Sequence, residues 1–126
     1  MSATISTTGH IARINLAGEF DFSTQDDLNQ AFENALNTAA REIRINMEKT
    51  TFIDSSVIRM LLKLRELAKQ QKKSLTIENC NERIFEIFTI GGFDQIFDIR
   101  WTSWKPRNLE ETLVDMTENM IELKLV

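Results

Sequence analysis

The sequence predicts an α/β domain: a mixed, mostly β sheet of four to five strands backed by helices. Short segments with alternating apolar and polar residues recur along the chain, the mark of half-buried strands. Between them lie longer stretches whose apolar residues recur every three or four positions, the mark of amphipathic helices. Size and composition agree. The chain has 126 residues, 42% of them hydrophobic and 27% charged, with one proline and four glycines. That composition suits a single folded domain and excludes long disordered, collagen-like or low-complexity regions.

A first strand is expected around Ala3–Thr7. A turn at Gly9 and His10 pairs it with a second, Ile11–Ala17, in which Ala12, Ile14 and Leu16 alternate with Arg13 and Asn15. Ser23 precedes Leu28, Ala31, Phe32, Ala35, Leu36 and Ala39, which share one helical face, and Asp26 completes an acidic variant of the capping box. Ile43, Ile45 and Met47 alternate with Arg44 and Asn46 in a third strand, and Lys49-Thr50-Thr51 leads on to Phe52 and Ile53. After Asp54-Ser55-Ser56, a helix of about four turns carries Val57, Met60, Leu61, Leu64 and Ala68 on one face. Arg59, Lys63, Glu66 and Gln70 lie on the other.

Leu75 and Ile77 mark a short strand. Asn81 caps a short helix with Ile84, Phe85, Ile87 and Phe88, and Gly91-Gly92 ends it in the left-handed conformation open to glycine. A last strand is expected over Ile96–Ile99. Ser103–Arg107 reads as a connector, and Asn108 with Glu111 caps a terminal amphipathic helix bearing Leu109, Leu113, Met116, Met120 and Leu123. The expected organisation is a domain over 1–100, then a connector and helix over 101–126 packed on that domain or on a partner.

Much chemistry is excluded. Fifteen Lys and Arg against nineteen Asp and Glu give a net charge of −4, and no basic block forms a stripe for a phosphate backbone, so no direct nucleic-acid partner is expected. With one cysteine and one histidine there is no intramolecular disulfide and no Cys/His metal cluster. The N-terminus lacks the basic and apolar regions of a secretory signal, and no stretch has the roughly 18 apolar residues of a membrane span, so a cytoplasmic protein without membrane contact is expected. His10 sits in a turn without an acidic neighbour, Cys80 reads as a small hydrophobe at a strand end, and Gly91-Gly92 lacks any phosphate-loop frame. No enzyme, metal or cofactor is expected.

The informative segment is Thr51-Phe52-Ile53-Asp54-Ser55-Ser56-Val57-Ile58, where three small polar residues stand at the start of a helix. One of them is expected to cap it. A hydroxyl there is also open to phosphorylation, since the free N–H groups and dipole of a helix start stabilise an anion by roughly 0.3–1 kcal/mol. A partner packed on this helix would instead meet an unpaired dianion, which costs several kcal/mol to bury. Phosphate there is a binding switch.

Gly18-Glu19-Phe20-Asp21, the strand Ile43–Met47, Phe52-Ile53-Asp54-Ser55-Ser56 with its apolar helix, and Gly91-Gly92-Phe93-Asp94-Gln95-Ile96-Phe97 follow one another in a specific order. In that order, over about residues 5–100, the chain resembles the STAS domain of bacterial anti-sigma factor antagonists. The resemblance implies a STAS-like sheet and a regulatory protein rather than an enzyme, a monomer or weak dimer. It implies that Ser55 is phosphorylated by an ATP-dependent serine kinase of GHKL type that is itself the anti-sigma factor, and that a PP2C-type phosphatase removes the phosphate. The dephosphorylated antagonist binds the kinase and frees its other client, a sigma factor.

By the same resemblance Asp54 is the acidic residue beside the phosphosite, Ser56 the second serine, and Asp21 and Asn46 polar positions near the same end of the sheet. Together with Val57 and Arg59 they make the expected partner-binding set. The chain departs from the family where Asp-Ser-Ser-Gly is usual, continuing with Val57, Ile58 and Arg59. A bulkier first turn alters how closely a kinase backbone approaches. Arg59, four residues after Ser55, is either a solvated helix charge or a partner for a phosphate. Two other readings stay open. One keeps the switch but with a non-sigma output such as biofilm, motility or cyclic-nucleotide signalling; in the other, a scaffold or ligand-binding module, Asp-Ser-Ser only caps a helix.

Overall fold

The computed structural model describes residues 1–102, in which strands and helices alternate after an initial hairpin. In chain order these are β1 (Ser2–Thr8), β2 (Ile11–Phe20), α1 (Gln25–Leu36), β3 (Glu42–Ile53), α2 (Ser55–Gln70), β4 (Ser74–Glu78), α3 (Glu82–Ile90) and β5 (Asp98–Arg100). Single 3-10 turns stand at Phe22–Thr24 and Phe93–Gln95. The sheet order is β1-β2-β3-β4-β5; β1 runs antiparallel to β2, and the remaining pairs are parallel. The hairpin turns on Gly9 at φ +60°, a value that costs a glycine nothing.

Each parallel pair is joined by a helix, as parallel neighbours require. α1 packs on β1 and β2, α2 on β3 and β4, and the two helices touch. The core between helices and sheet holds Ala12, Ile14 and Leu16 of β2, Ile43, Ile45 and Met47 of β3, and Leu28, Phe32, Leu61 and Leu64 from the helices, all buried. The period-two and period-3.6 patterns are thus the two halves of one interface. On the opposite face of the sheet, buried Glu78 takes a hydrogen bond from Arg13 Nε, and Arg44 Nη1 stands 3.7 Å from its other oxygen.

Several expectations shift. Ser23 does not cap α1: Asp21 caps a 3-10 turn ahead of it, its side chain accepting the Ser23 N–H while Thr24 Oγ1 accepts the Asp21 N–H, and Thr24, the N-cap of α1 itself, makes no side-chain capping bond. α1 ends at Leu36, so Ala39 is exposed and Ala40 is buried in its place. β3 runs on to Ile53 through two register shifts against β2, and its buried positions pass from Met47 to Thr50 to Ile53. Thr50 Oγ1 donates to Leu16 O at 2.9 Å, which pairs a buried hydroxyl within the irregular stretch.

Gly92 takes the left-handed conformation (φ +75°), whereas Gly91 at φ −82° closes α3 with ordinary helical geometry. Residues 93–95 turn, so β5 starts at Asp98 rather than Ile96. Trp101 closes the described chain on the domain: Nε1 donates to Cys80 O at 2.8 Å and the ring meets Phe85 edge-on at 5.3 Å. The expected connector and terminal helix from Ser103 onward lie outside the described residues.

Candidate functional site

Phe20 and Ile53 are paired in register at the carboxyl ends of parallel neighbours β2 and β3. The next residue on each strand is an aspartate, so Asp21 and Asp54 leave the sheet side by side, at the edge where open α/β sheets carry their sites. Asp54, extended at φ −110°, ψ −177°, is the N-cap of α2. Its Oδ1 accepts the N–H groups of Ser56 at 3.0 Å and Val57 at 3.2 Å as well as the Ser56 hydroxyl, and its Oδ2 accepts the Phe22 N–H at 3.2 Å. Partial burial pushes this carboxyl up, but the hydrogen bonds from the Ser56 hydroxyl and from the Val57, Phe22 and Ser56 N–H groups outweigh it. They hold the group below the usual carboxylate range.

The two serines therefore differ. Ser55 is the first residue of α2, exposed, with no hydrogen bond from its hydroxyl among the described residues. Ser56 is half-buried and its hydroxyl is committed to Asp54. Arg59 is exposed one turn further on and has neither ion pair nor hydrogen bond among the described residues.

Two expected contact residues are placed elsewhere. Val57 is fully buried, and Ile58 is 4% exposed, so the bulk of this first turn goes into the core instead of toward a partner. Asn46 lies mid-strand on the helix-free face, donating to Asn15 Oδ1 at 2.9 Å and accepting the Glu48 N–H at 3.2 Å. Seven strand residues, on the order of 20 Å, separate it from the end of β3. A third correction concerns donors: the Ser56 and Val57 N–H groups are taken by Asp54 and are not free for an anion on Ser55.

Sequence reasoning missed Phe22. It is 72% exposed and held by its N–H on Asp54, beside the Asp-Ser-Ser segment; Phe52 on β3 is 42% exposed. The signal was the alternation Phe20-Asp21-Phe22, which continues past the point where the sheet can cover an aromatic ring. His10 lies at the other end of β2, and burial pushes the Cys80 thiol up to about 12. Among the described residues no group of His, Cys, Asp and Glu is arranged to hold a metal ion, and no helix is long and apolar enough to cross a membrane.

Comparison with known proteins agrees with this geometry. The family described as "Mlab, STAS domain" matches residues 3–100. A STAS-domain containing protein of Pseudomonas aeruginosa (strain UCBPP-PA14) is 31% identical over 99 residues, 79% of this chain and 97% of that protein. The anti-sigma-B factor antagonist of Bacillus subtilis (strain 168) is 29% identical over 87 residues, 69% of this chain and 79% of that protein. Among solved structures, the anti-sigma factor antagonist SpoIIAA in its unphosphorylated form superposes with a TM-score of 0.70 at 18% identity, covering 94% of this chain and 97% of its own. The phosphorylated form of the Bacillus cell fate determinant SpoIIAA gives 0.64 at 19% identity, covering 92% and 99%. With its hairpin-led parallel sheet and its Asp-Ser-Ser helix start, the chain belongs to the STAS domain family and is similar to the anti-sigma factor antagonists.

Proposed function

We propose that this chain is an anti-sigma factor antagonist whose grip on its partner is set by phosphorylation of Ser55. The partner is an anti-sigma factor with serine kinase activity of GHKL type, the phosphate is removed by a PP2C-type phosphatase, and the exchange takes place in the cytoplasm. The observation that supports it best is the contrast between the two serines: Ser55 is exposed with an unengaged hydroxyl, whereas Ser56 is committed to the cap. A phosphate added to Ser55 leaves the Asp54 cap intact, so the fold survives. A partner seated on this corner then has to bury a dianion, which costs several kcal/mol unless the charge is paired. Asp21, Asp54, Ser55 and Arg59, all at this corner, form the docking surface.

The test is affinity capture from source-cell lysate with wild-type, Ser55→Ala and Ser55→Asp baits, followed by phosphosite mapping on the wild-type chain. Asp54, not Ser55, is the cap. Alanine therefore removes no capping bond, an acid in the first turn suits the helix dipole, and both variants fold. An ATP-binding kinase retained by wild type and Ala but lost with Asp supports the switch; identical partners on all three baits refute it. A non-sigma output such as biofilm, motility or cyclic-nucleotide signalling is the second reading. The released client tells the two apart.

A further inference from the structure

A helix start ordinarily welcomes a phosphate because its first N–H groups are unpaired. In α2 two of these donors are already used, and of the first three only the N–H of Ser55 itself has no partner among the described residues. Asp54 Oδ1 holds the N–H groups of both Ser56 and Val57, and its negative charge stands next to Ser55. A dianion on Ser55 gains nothing from these two donors and meets a like charge from its neighbour. Beyond the single N–H of Ser55, it needs a cation to offset that charge.

Arg59 is the cation one turn along the same helix. Because Val57 and Ile58 turn into the core, Ser55 and Arg59 are left on the outward strip of the first turn and a half. At i,i+4 spacing their Cβ atoms stand about 5–6 Å apart, with the acidic partner N-terminal to the basic one, which is the favourable order. The guanidinium has no competing partner among the described residues, and its fork matches two phosphate oxygens.

We propose, resting on the reading that Ser55 is the modified residue, that Arg59 is the internal counter-ion of phosphorylated Ser55 and replaces the donors that Asp54 has taken. The phosphate is then drawn along the outer edge of α2, toward Arg59 and away from Asp54. The modified state is held by a contact within the chain.

The test uses protein carrying genetically encoded phosphoserine at position 55, in the wild-type background and with Arg59→Gln or Arg59→Lys. A 31P NMR titration then reads the second ionisation of the phosphate. The expected result is an apparent pKa about 0.2–0.4 of a pH unit lower with Arg59 than with Gln. Lys should fall between them, and the difference should shrink in about 1 M salt. Equal values for wild type and Gln overturn the proposal. Arg59 is exposed, so unchanged melting temperatures confirm that the variants compare like with like. The encoded phosphoserine needs no kinase and no partner, so failure of the switch itself would show only in the capture experiment.

Discussion

Asp54 Oδ2 accepts the backbone N–H of Phe22 at 3.2 Å, across 32 positions of sequence. The residue that caps α2 therefore also fixes the turn that leads out of β2 into α1. One carboxylate ties the two sides of the site, and its oxygens serve four donors in all.

Removing that carboxylate should cost more than an ordinary surface change. Asp54→Ala loses the cap and the tie to Phe22, and a loss of about 1–2 kcal/mol is expected in urea unfolding. Asp54→Asn keeps a capping oxygen and should lose less at neutral pH. The carboxyl is held below its ordinary value of 3.8, so its contribution is present above that value and is lost as pH falls through the lower folded value. Stability followed from about pH 5 to pH 2 should therefore decline more steeply in wild type than in Asp54→Asn.

The two serines should separate in stability as well as in modification. Ser55 makes no side-chain hydrogen bond among the described residues, so Ser55→Ala should lie within about 0.5 kcal/mol of wild type. Ser56→Ala removes the hydroxyl bonded to Asp54 and should cost about 0.5–1.5 kcal/mol. Paired thermal melts decide it; equal losses would mean that Ser56 is not the structural serine.

Glu78 carries a buried charge held by Arg13 and Arg44 on the helix-free face, with side-chain exposure of 1%. Arg13→Ala leaves that acid short of its main partner and should destabilise by about 1–3 kcal/mol. Glu78→Gln removes the charge together with the need for it and should cost less. Chemical unfolding of the two variants gives the order directly.

Cys80 is fully buried and its thiol is pushed up to about 12. At neutral pH it is a neutral hydrophobe without access to reagent. A thiol-reactive dye should label the native chain only at the rate of unfolding, and one equivalent should react promptly in denaturant. Prompt labelling of the native chain would show that the strand end opens.

α2 was legible in detail because the packing of one helix face on a sheet writes itself into i,i+3 and i,i+4 spacing: Val57, Met60, Leu61, Leu64 and Ala68 are all buried. β1, β2 and the first half of β3 were legible through alternation. The second half of β3 was not, because two register shifts break the period of two and leave Thr50, a polar residue, as an inward position. The start of α1 was not legible, since Asp21, Ser23 and Thr24 are all competent caps and only the fold gives Asp21 to the 3-10 turn at Phe22–Thr24 and leaves Thr24 at the start of α1. Val57 belongs to the apolar face that its spacing marks, and its other assignment, to the partner-binding set by place in a motif, fails on burial.

By itself the sequence determined the order of strands and helices, which residues line the core, and the small polar run that opens α2. These follow from local periodicity and from the hydrogen-bonding habits of single residues, which act over a few positions. Only the tertiary structure decided that Asp21 and Asp54 share a corner, that Asn46 does not, and that Asp54 occupies the donors next to Ser55. Those outcomes depend on the register of β2 against β3, and that register is set by burying both strands under α1 and α2 at once.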